Sequence, residues 1–197
     1  MMTVLERINA ELGELSKEVQ KSLVRVSSGE RGEGAGTIWH AEGLILTNAH
    51  VVLNDDIRVT LPDGVRKKAT LLAMDRELDL AALAVEAWDL PTIDLGSSDS
   101  MQAGEWVIAF GHPWGVNGAA TAGVFIGQGR TVQERPQWGR EWLAVSLHYR
   151  PGHSGGPLVD VNGNLIGINT VMVGPDVGLA VPIHAVKRFL KENLNSI

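Results

Sequence analysis

The chain has 197 residues, a formal net charge of −6, a pI near 5.5 and no cysteine, which excludes disulfides, thiol catalysis and cysteine–zinc sites. An acidic chain without a long basic run is not built for a nucleic-acid partner, and no segment reaches the ~18 uninterrupted apolar residues of a membrane span, so no membrane insertion is expected. That length forms one large domain or two small lobes, able to bury about two thirds of the unfolded surface without staples.

The N-terminal stretch MMTVLERINAELGELSKEVQ carries charges throughout and lacks the apolar core of a signal peptide. The expected compartment is cytoplasmic if the chain is complete, and periplasmic or otherwise extracytoplasmic if a leader was removed. Thr3 and Glu6 fit a capping box, and Val4, Ile8, Leu12, Leu15, Val19 and Leu23 recur at spacings of three and four. A helix over residues 3–22 is predicted, with its apolar stripe docked on the chain's own domain. The period then changes. LVRVSS, GAGTIWH, GLILTN, IRVTLP, KKATLLAM, LAALAV, EWVIAF, VFIGQGRTV, WLAVSL, PLVDVNGNLIGINTVM and VGLAVP are short β-prone runs separated by turn residues. Such a series indicates an antiparallel sandwich or barrel. GEGAG at 32–36 lacks the context of a dinucleotide site and reads as a hairpin turn. Residues 86–104, rich in Pro, Ser, Asp and Gly, are the expected crossing between two β lobes. Asn162 and Gly163 suit the positive backbone angles of a hairpin turn. Val186, Phe189, Leu190 and Leu194 place a second helix at about 184–194.

Three segments carry candidate chemistry. In GHSGGP, Gly152 and Gly155 flank Ser154 with no side chains, leaving room for an extended peptide and for convergent N–H groups. Ser154 is therefore either a nucleophile or the centre of a glycine-rich loop. His50 follows a β-prone run in LTNAHVV, where a lone imidazole is also compatible with plain packing. Asp79 stands at the mouth of the apolar run LAALAV, where a buried carboxylate needs a partner such as an imidazole N–H. Asp75 is its rival, in a more solvated setting beside Arg76 and Glu77. A hydroxyl needs a base, and the base needs a group that fixes its tautomer. His50, Asp79 and Ser154 supply that division of labour in the chain order of one serine-protease lineage.

The wording of TNAHVV, of DLA with an aspartate four residues before it, of FGHPWG at 110–115 and of PGHSGGPLVDVNGNLIGINT at 151–170 resembles the protease domain of the HtrA/DegP family, within the chymotrypsin-like serine proteases. Weaker similarity in TAGVFIGQGR and GLAVP extends the resemblance over nearly all of residues 22–190. It implies an all-β fold, the chymotrypsin-like double β-barrel with N-terminal and C-terminal helices: a helical segment at 1–22, then a protease domain at 23–197. Within that domain the first barrel is expected at about 23–90, a linker at 91–104, the second barrel at about 105–183 and the closing helix at 184–194. No PDZ domain follows within these residues.

The resemblance further implies His50 as general base, Asp79 as its orienter and Ser154 as nucleophile. The backbone N–H groups of Gly152 and Ser154 would form an oxyanion hole. The substrate-binding set would be His148 near the base of the P1 pocket, Tyr149 and Arg150 at its wall or rim, Ile168, Asn169, Thr170 and Val171 as a pairing strand, and Gly178 and Leu179 completing the wall. Tyr149 either narrows that pocket or packs in the core. Two departures stand out: His153 replaces the usual asparagine before the serine, and GHPWG replaces GNPFG. The His153 ring is expected to point away from the nucleophile. His148 with His153 also fits a two-histidine metal pattern, but no third ligand stands at obvious spacing, and neither metal nor cofactor is expected. The six tryptophans are expected mostly in packing, with Trp114 and Trp138 as candidate exposed anchors.

The function implied is a serine endopeptidase acting on unfolded or extended protein substrates. The alternative is a non-catalytic or latent protease-fold module that binds peptides or acts as a chaperone. Partners would be protein or peptide substrates, together with a homo-oligomer that the resemblance makes a trimer.

Overall fold

A computed structural model of the chain describes residues 2–29, 32–129 and 141–194. The first helix, α1 (Val4–Gln20), starts where the sequence places it. Thr3 Oγ1 accepts the Glu6 N–H at 3.2 Å and a Glu6 carboxylate oxygen accepts the Thr3 N–H at 2.7 Å, closing the capping box. Its apolar stripe does not dock along its full length. Only its C-terminal end packs, through buried Val19 and half-buried Leu15, and Gln20 Nε2 donates to the Gly118 carbonyl at 2.6 Å. Val4, Leu5, Ile8 and Leu12 are exposed, because the body offers a surface only to the helix's last turns. Among the described residues, no helix is long and apolar enough to cross a membrane.

Twelve strands follow. The first six, β1 (Leu23–Ser28), β2 (Gly32–His40), β3 (Leu44–Thr47), β4 (Ile57–Thr60), β5 (Arg66–Asp75) and β6 (Leu80–Val85), close a barrel in the order β1-β2-β3-β6-β5-β4. The second six, β7 (Trp106–Gly111), β8 (Ala119–Gly129), β9 (Trp142–Ser146), β10 (Pro157–Val159), β11 (Leu165–Met172) and β12 (Gly178–Pro182), close another in the order β10-β11-β12-β9-β8-β7. Every strand pairing in both barrels is antiparallel. Closure removes the free edges that short strands would otherwise expose. The fold is thus the all-β double barrel, with α2 (Ile183–Asn193) after the last strand.

Each barrel has its own interior, with Val24, Val26, Ile38 and Ile45 in the first and Val107, Phe125, Leu143 and Leu158 in the second. A third cluster lies where the barrels meet: Leu46 and Leu80 from one, Phe110 and Ile168 from the other, and Phe189 of α2. The two lobes are therefore fixed relative to each other by apolar packing, which is what a site shared between them requires.

Several local expectations change. GEGAG is not a hairpin turn but the start of β2; its Ala35 N–H donates to the Ser154 carbonyl at 2.8 Å, so the small residues let a strand run beside the serine loop. In the β10–β11 hairpin only Gly163 is left-handed, with φ 82°. Asn162 needs no positive angle, because Asp160 accepts the Asn162 and Asn164 N–H groups at 2.9 Å each and builds the turn from its first residue. Trp88, Trp106 and Trp114 are exposed and Trp142 is buried, so tryptophan serves the surface more than expected. Trp138 lies outside the described residues.

Candidate functional site

His50 sits in a single 3-10 turn, Ala49–Val51, just after β3. Asp79 directly precedes β6 and takes a left-handed backbone, φ 57°, which Asp tolerates better than most residues. β3 and β6 pair in the barrel, with Thr47 opposite Ala81, so the two side chains arrive from neighbouring strand ends. Asn48 Nδ2 donates to the Asp79 carbonyl at 2.9 Å and ties the two segments together. His50 Nδ1 lies 2.8 and 3.0 Å from the two Asp79 carboxylate oxygens, and the His50 backbone N–H donates to Asp79 Oδ1 at 3.0 Å.

A carboxylate that accepts at Nδ1 fixes the proton there, which leaves Nε2 as the basic nitrogen. Burial pushes the Asp79 carboxyl up, but hydrogen bonds and charge from His50, with the Thr170 hydroxyl, outweigh it and hold the pKa below the usual value. Asp75 is not brought to His50. Its carboxylate accepts the Leu78 N–H at 2.8 Å and closes the turn after β5.

Ser154 comes from the other lobe, in the loop between β9 and β10. The Arg150 carbonyl accepts the His153 N–H at 3.0 Å across Pro151 and Gly152, and Gly152 has φ 106°. Proline second and a left-handed glycine third are the pattern of a type II turn. The Gly152 carbonyl accepts the His112 N–H at 2.8 Å, fixing the following peptide. Among the described residues, the N–H groups of Gly152 and Ser154 have no protein acceptor, as two donors kept for a ligand oxygen would require.

The glycine after the serine has a different reason from the one its sequence suggests. A Cβ on Gly155 would lie 2.2 Å from the Ala35 carbonyl oxygen and 2.3 Å from Thr47 Oγ1. It is small because the first barrel presses on it, not because a substrate approaches there.

Thr170 joins the parts. It falls at a register shift between β11 and β12, which takes it out of the ladder. Its hydroxyl donates to Asp79 Oδ2 in a very short hydrogen bond, and its carbonyl accepts the Ser154 hydroxyl at 3.0 Å. Ser154 Oγ is therefore not hydrogen-bonded to His50 in this state, contrary to the expectation that His50 would bridge serine and aspartate. A bulge that frees a carbonyl gives the seryl hydroxyl a competing acceptor.

The His153 ring is turned toward Arg150 and Tyr149, not Ser154. Its Nδ1 lies 3.1 Å from the Arg150 N–H, which it accepts, and its ring stacks on Tyr149 with centroids 6.0 Å apart. Burial holds its pKa below the usual value. Neither Asp79 nor His50 is among its partners.

The expected substrate residues divide. Ile168 and Asn169 do not face the cleft: both are fully buried, and Asn169 Nδ2 donates to the Phe110 and Pro157 carbonyls at 3.1 and 3.0 Å. At the far end of β11 the Thr170 carbonyl meets the Ser154 hydroxyl, and Val171 and Met172 are half-buried. Tyr149 is buried against Gly178, where a Cβ would lie 2.6 Å from its ring, and burial pushes its phenol pKa up. Leu179 is likewise buried within the ladder.

His148 is at the surface, paired with Asp176 at 2.8 Å. Arg150 is exposed, and its guanidinium carbon lies 4.6 Å from the centroid of the Trp114 ring. Among the described residues no group of three potential ligands is placed to hold a metal. The sequence reading missed Asn48, the His112 N–H and the orienting role of the Thr170 hydroxyl. Asn48 and His112 lie within the runs TNAHVV and FGHPWG, but each acts across a fold contact that a local pattern does not show.

The trypsin-like peptidase domain family matches residues 34–168. HhoB of Synechocystis sp. is 38% identical over 170 residues, 84% of this chain and 41% of that protein. Mitochondrial serine protease HTRA2 of Drosophila pseudoobscura pseudoobscura is 39% identical over 163 residues, 80% of this chain and 38% of its own length. The solved structure of the HtrA-type protease AlgW with tripeptide superposes with a TM-score of 0.85 at 32% identity, over 91% of this chain and 62% of that one. The chain thus spans about two fifths of the length of these curated relatives.

Proposed function

Because the chain belongs to the trypsin-like peptidase domain family, we propose that it is a serine endopeptidase with Ser154 as nucleophile, His50 as general base and Asp79 as orienter. The carrying observation is the shared contact at Thr170, where one residue of the second lobe holds the Asp79 carboxylate through its hydroxyl and the Ser154 Oγ through its carbonyl. Rotation about the Ser154 Cα–Cβ bond exchanges the Thr170 carbonyl for His50 Nε2 as acceptor. His50 then takes the seryl proton as Oγ attacks the scissile carbonyl, and the oxyanion is held by the N–H groups of Gly152 and Ser154. Protonated His50 gives its proton to the leaving amine, and water admitted to the same position hydrolyses the acyl-enzyme.

Substrates are extended or unfolded polypeptides, a class supported by the open end of β11 at Thr170–Met172 beside the serine and by the tripeptide that accompanies AlgW in its solved structure. Self-association through α1 is supported by the exposed Val4, Leu5, Ile8 and Leu12. A serine-directed phosphonate tests the central reading. Labelling mapped to Ser154, absent after His50→Ala, is expected. An unlabelled but folded protein that still binds peptide would establish the non-catalytic alternative.

A further inference from the structure

One exposed pair beside the oxyanion turn has no part in the chemistry above. Trp114 lies in the 3-10 turn Pro113–Gly115 with φ 54° and ψ 26°, a left-handed backbone that is an outlier for a bulky aromatic residue. Its side chain is 72% exposed, so the strain is not offset by burial in a core. Strained residues of this kind cluster at ligand contacts. The Arg150 guanidinium lies over the indole at 4.6 Å and, among the described residues, has no carboxylate partner. Stacking engages the face of the guanidinium and leaves its N–H edge free for a bidentate acceptor.

The pair is placed where a leaving peptide would pass. A Cβ on Gly152 would lie 2.6 Å from the His112 carbonyl oxygen and 2.9 Å from Pro113 Cα, so the Trp114 turn abuts the oxyanion turn. The start of β2 lies across from it, where a Cβ on Gly34 would be 2.9 Å from the Ser154 carbonyl oxygen. Arg25 spans the gap, donating to Glu33 at 3.3 Å, to the Gly115 carbonyl at 3.1 Å and to Asn117 Oδ1 at 2.7 Å. With the acyl half of a substrate along Thr170–Met172, the other half leaves between β2 and this turn.

We propose that Arg150 and Trp114 form a carboxylate subsite for the leaving-group half of a peptide substrate; this rests on the endopeptidase reading. The carboxylate comes from a Glu or Asp side chain soon after the scissile bond, or from the free C-terminus of a short leaving peptide. Arg25 lies on the same side but is already engaged by Glu33, which among the described residues leaves Arg150 as a cation free to select.

The test uses quenched fluorescent peptides in pairs, with Glu or Gln at each of the first three positions after the scissile bond, each made with a free acid and with an amide C-terminus. An exposed ion pair is worth about three- to fivefold. The wild-type kcat/KM ratio of Glu to Gln, or of acid to amide, is expected to reach that range at one position. It should collapse to about one in Arg150→Gln and shrink in Trp114→Ala and at high salt. The Glu/Gln arm and the acid/amide arm identify the source of the carboxylate. Peptides cleaved with ratios of one throughout would overturn the subsite while leaving the endopeptidase standing. If no peptide is cleaved, the same pairs are compared by equilibrium binding to Ser154→Ala, where a Kd ratio of three to five that vanishes in the Ser154→Ala, Arg150→Gln double variant supports the subsite and a ratio of one overturns it.

Discussion

Lowering the pH from 7 to 5 should cost this fold about 2 kcal/mol through His112 alone. His112 is buried against the Arg150–His153 turn, its Nδ1 3.3 Å from the Gly118 N–H that it accepts. Burial first, and then the charge of Arg25 and the neighbourhood of His153, push its pKa from 6.5 down to about 4, against a ring N–H interaction with the Val24 carbonyl that opposes the shift. Above pH 6.5 the imidazole is neutral in both the folded and unfolded chain, and stability is fully present. As the pH falls below 6.5 the unfolded chain takes up the proton while the folded one does not, so stability is lost until about pH 4. Each pH unit inside that window is worth about 1.4 kcal/mol, giving about 2 kcal/mol by pH 5 and about 3 kcal/mol across the window. Urea unfolding at pH 7, 6 and 5, for wild type and for His112→Asn, reads this directly. The variant should lose about 2 kcal/mol less than wild type over that range, whatever its absolute stability. Parallel losses in the two proteins would refute the reasoning. Asp79 does not blur the window: its folded pKa lies below 3.8, so the stability it gives is present above that value and is lost only as the pH falls through the lower folded value.

Asp79→Asn should keep the fold but lower kcat by about four orders of magnitude, since the amide presents the wrong group to His50 Nδ1; a loss of less than tenfold in steady-state peptide cleavage would remove Asp79 from the relay. Thr170→Val, which deletes the hydroxyl's hydrogen bond to Asp79 but keeps the carbonyl that holds Ser154, should lower kcat about tenfold or more at nearly constant KM, and an unchanged kcat would show the contact to be structural only. Gly155→Ala should fail to fold or unfold far below the wild-type Tm, because its Cβ would meet the Ala35 carbonyl at 2.2 Å; a wild-type melting curve would contradict that packing. Phe189→Ala, truncating a fully buried ring in the cluster between the lobes, should cost about 3–5 kcal/mol in denaturant unfolding, and a cost below 1 kcal/mol would mean that α2 does not brace the barrels.

Much of the architecture was legible because closed barrels of short strands write themselves as alternating runs broken by turn residues. β1, β6 and α2 fall within a residue of their predicted spans for that reason. GEGAG misled because glycine signals a turn and a close backbone approach equally well, and only the position of Ser154 against Ala35 distinguishes them. The choice between Asp75 and Asp79 leaned to Asp79 on the more solvated setting of Asp75, without a contact to decide it. It is closed by pairing, since the β3–β6 ladder carries Asp79 toward His50 while Asp75 stays with its own turn. The substrate residues were the least legible. The resemblance put Ile168 and Asn169 on a peptide-binding edge, but β11 has neighbours on both sides there; beyond Asn169 it loses β10 and keeps only β12, beside Val171 and Met172.

That register shift also explains how the two lobes act as one site. A regular ladder would commit the Thr170 carbonyl to β12. Displaced from it, the carbonyl is free to hold the Ser154 hydroxyl while the side chain of the same residue reaches Asp79 in the other barrel. A movement of one lobe against the other therefore alters the Thr170–Asp79 contact and the acceptor offered to Ser154 together. The apolar cluster of Leu46, Leu80, Phe110, Ile168 and Phe189 resists that movement, so on the proposed mechanism packing between the barrels would set the balance between the resting hydroxyl and one turned toward His50. Weakening this cluster should change turnover as well as stability, an outcome that a site built within one barrel would not produce.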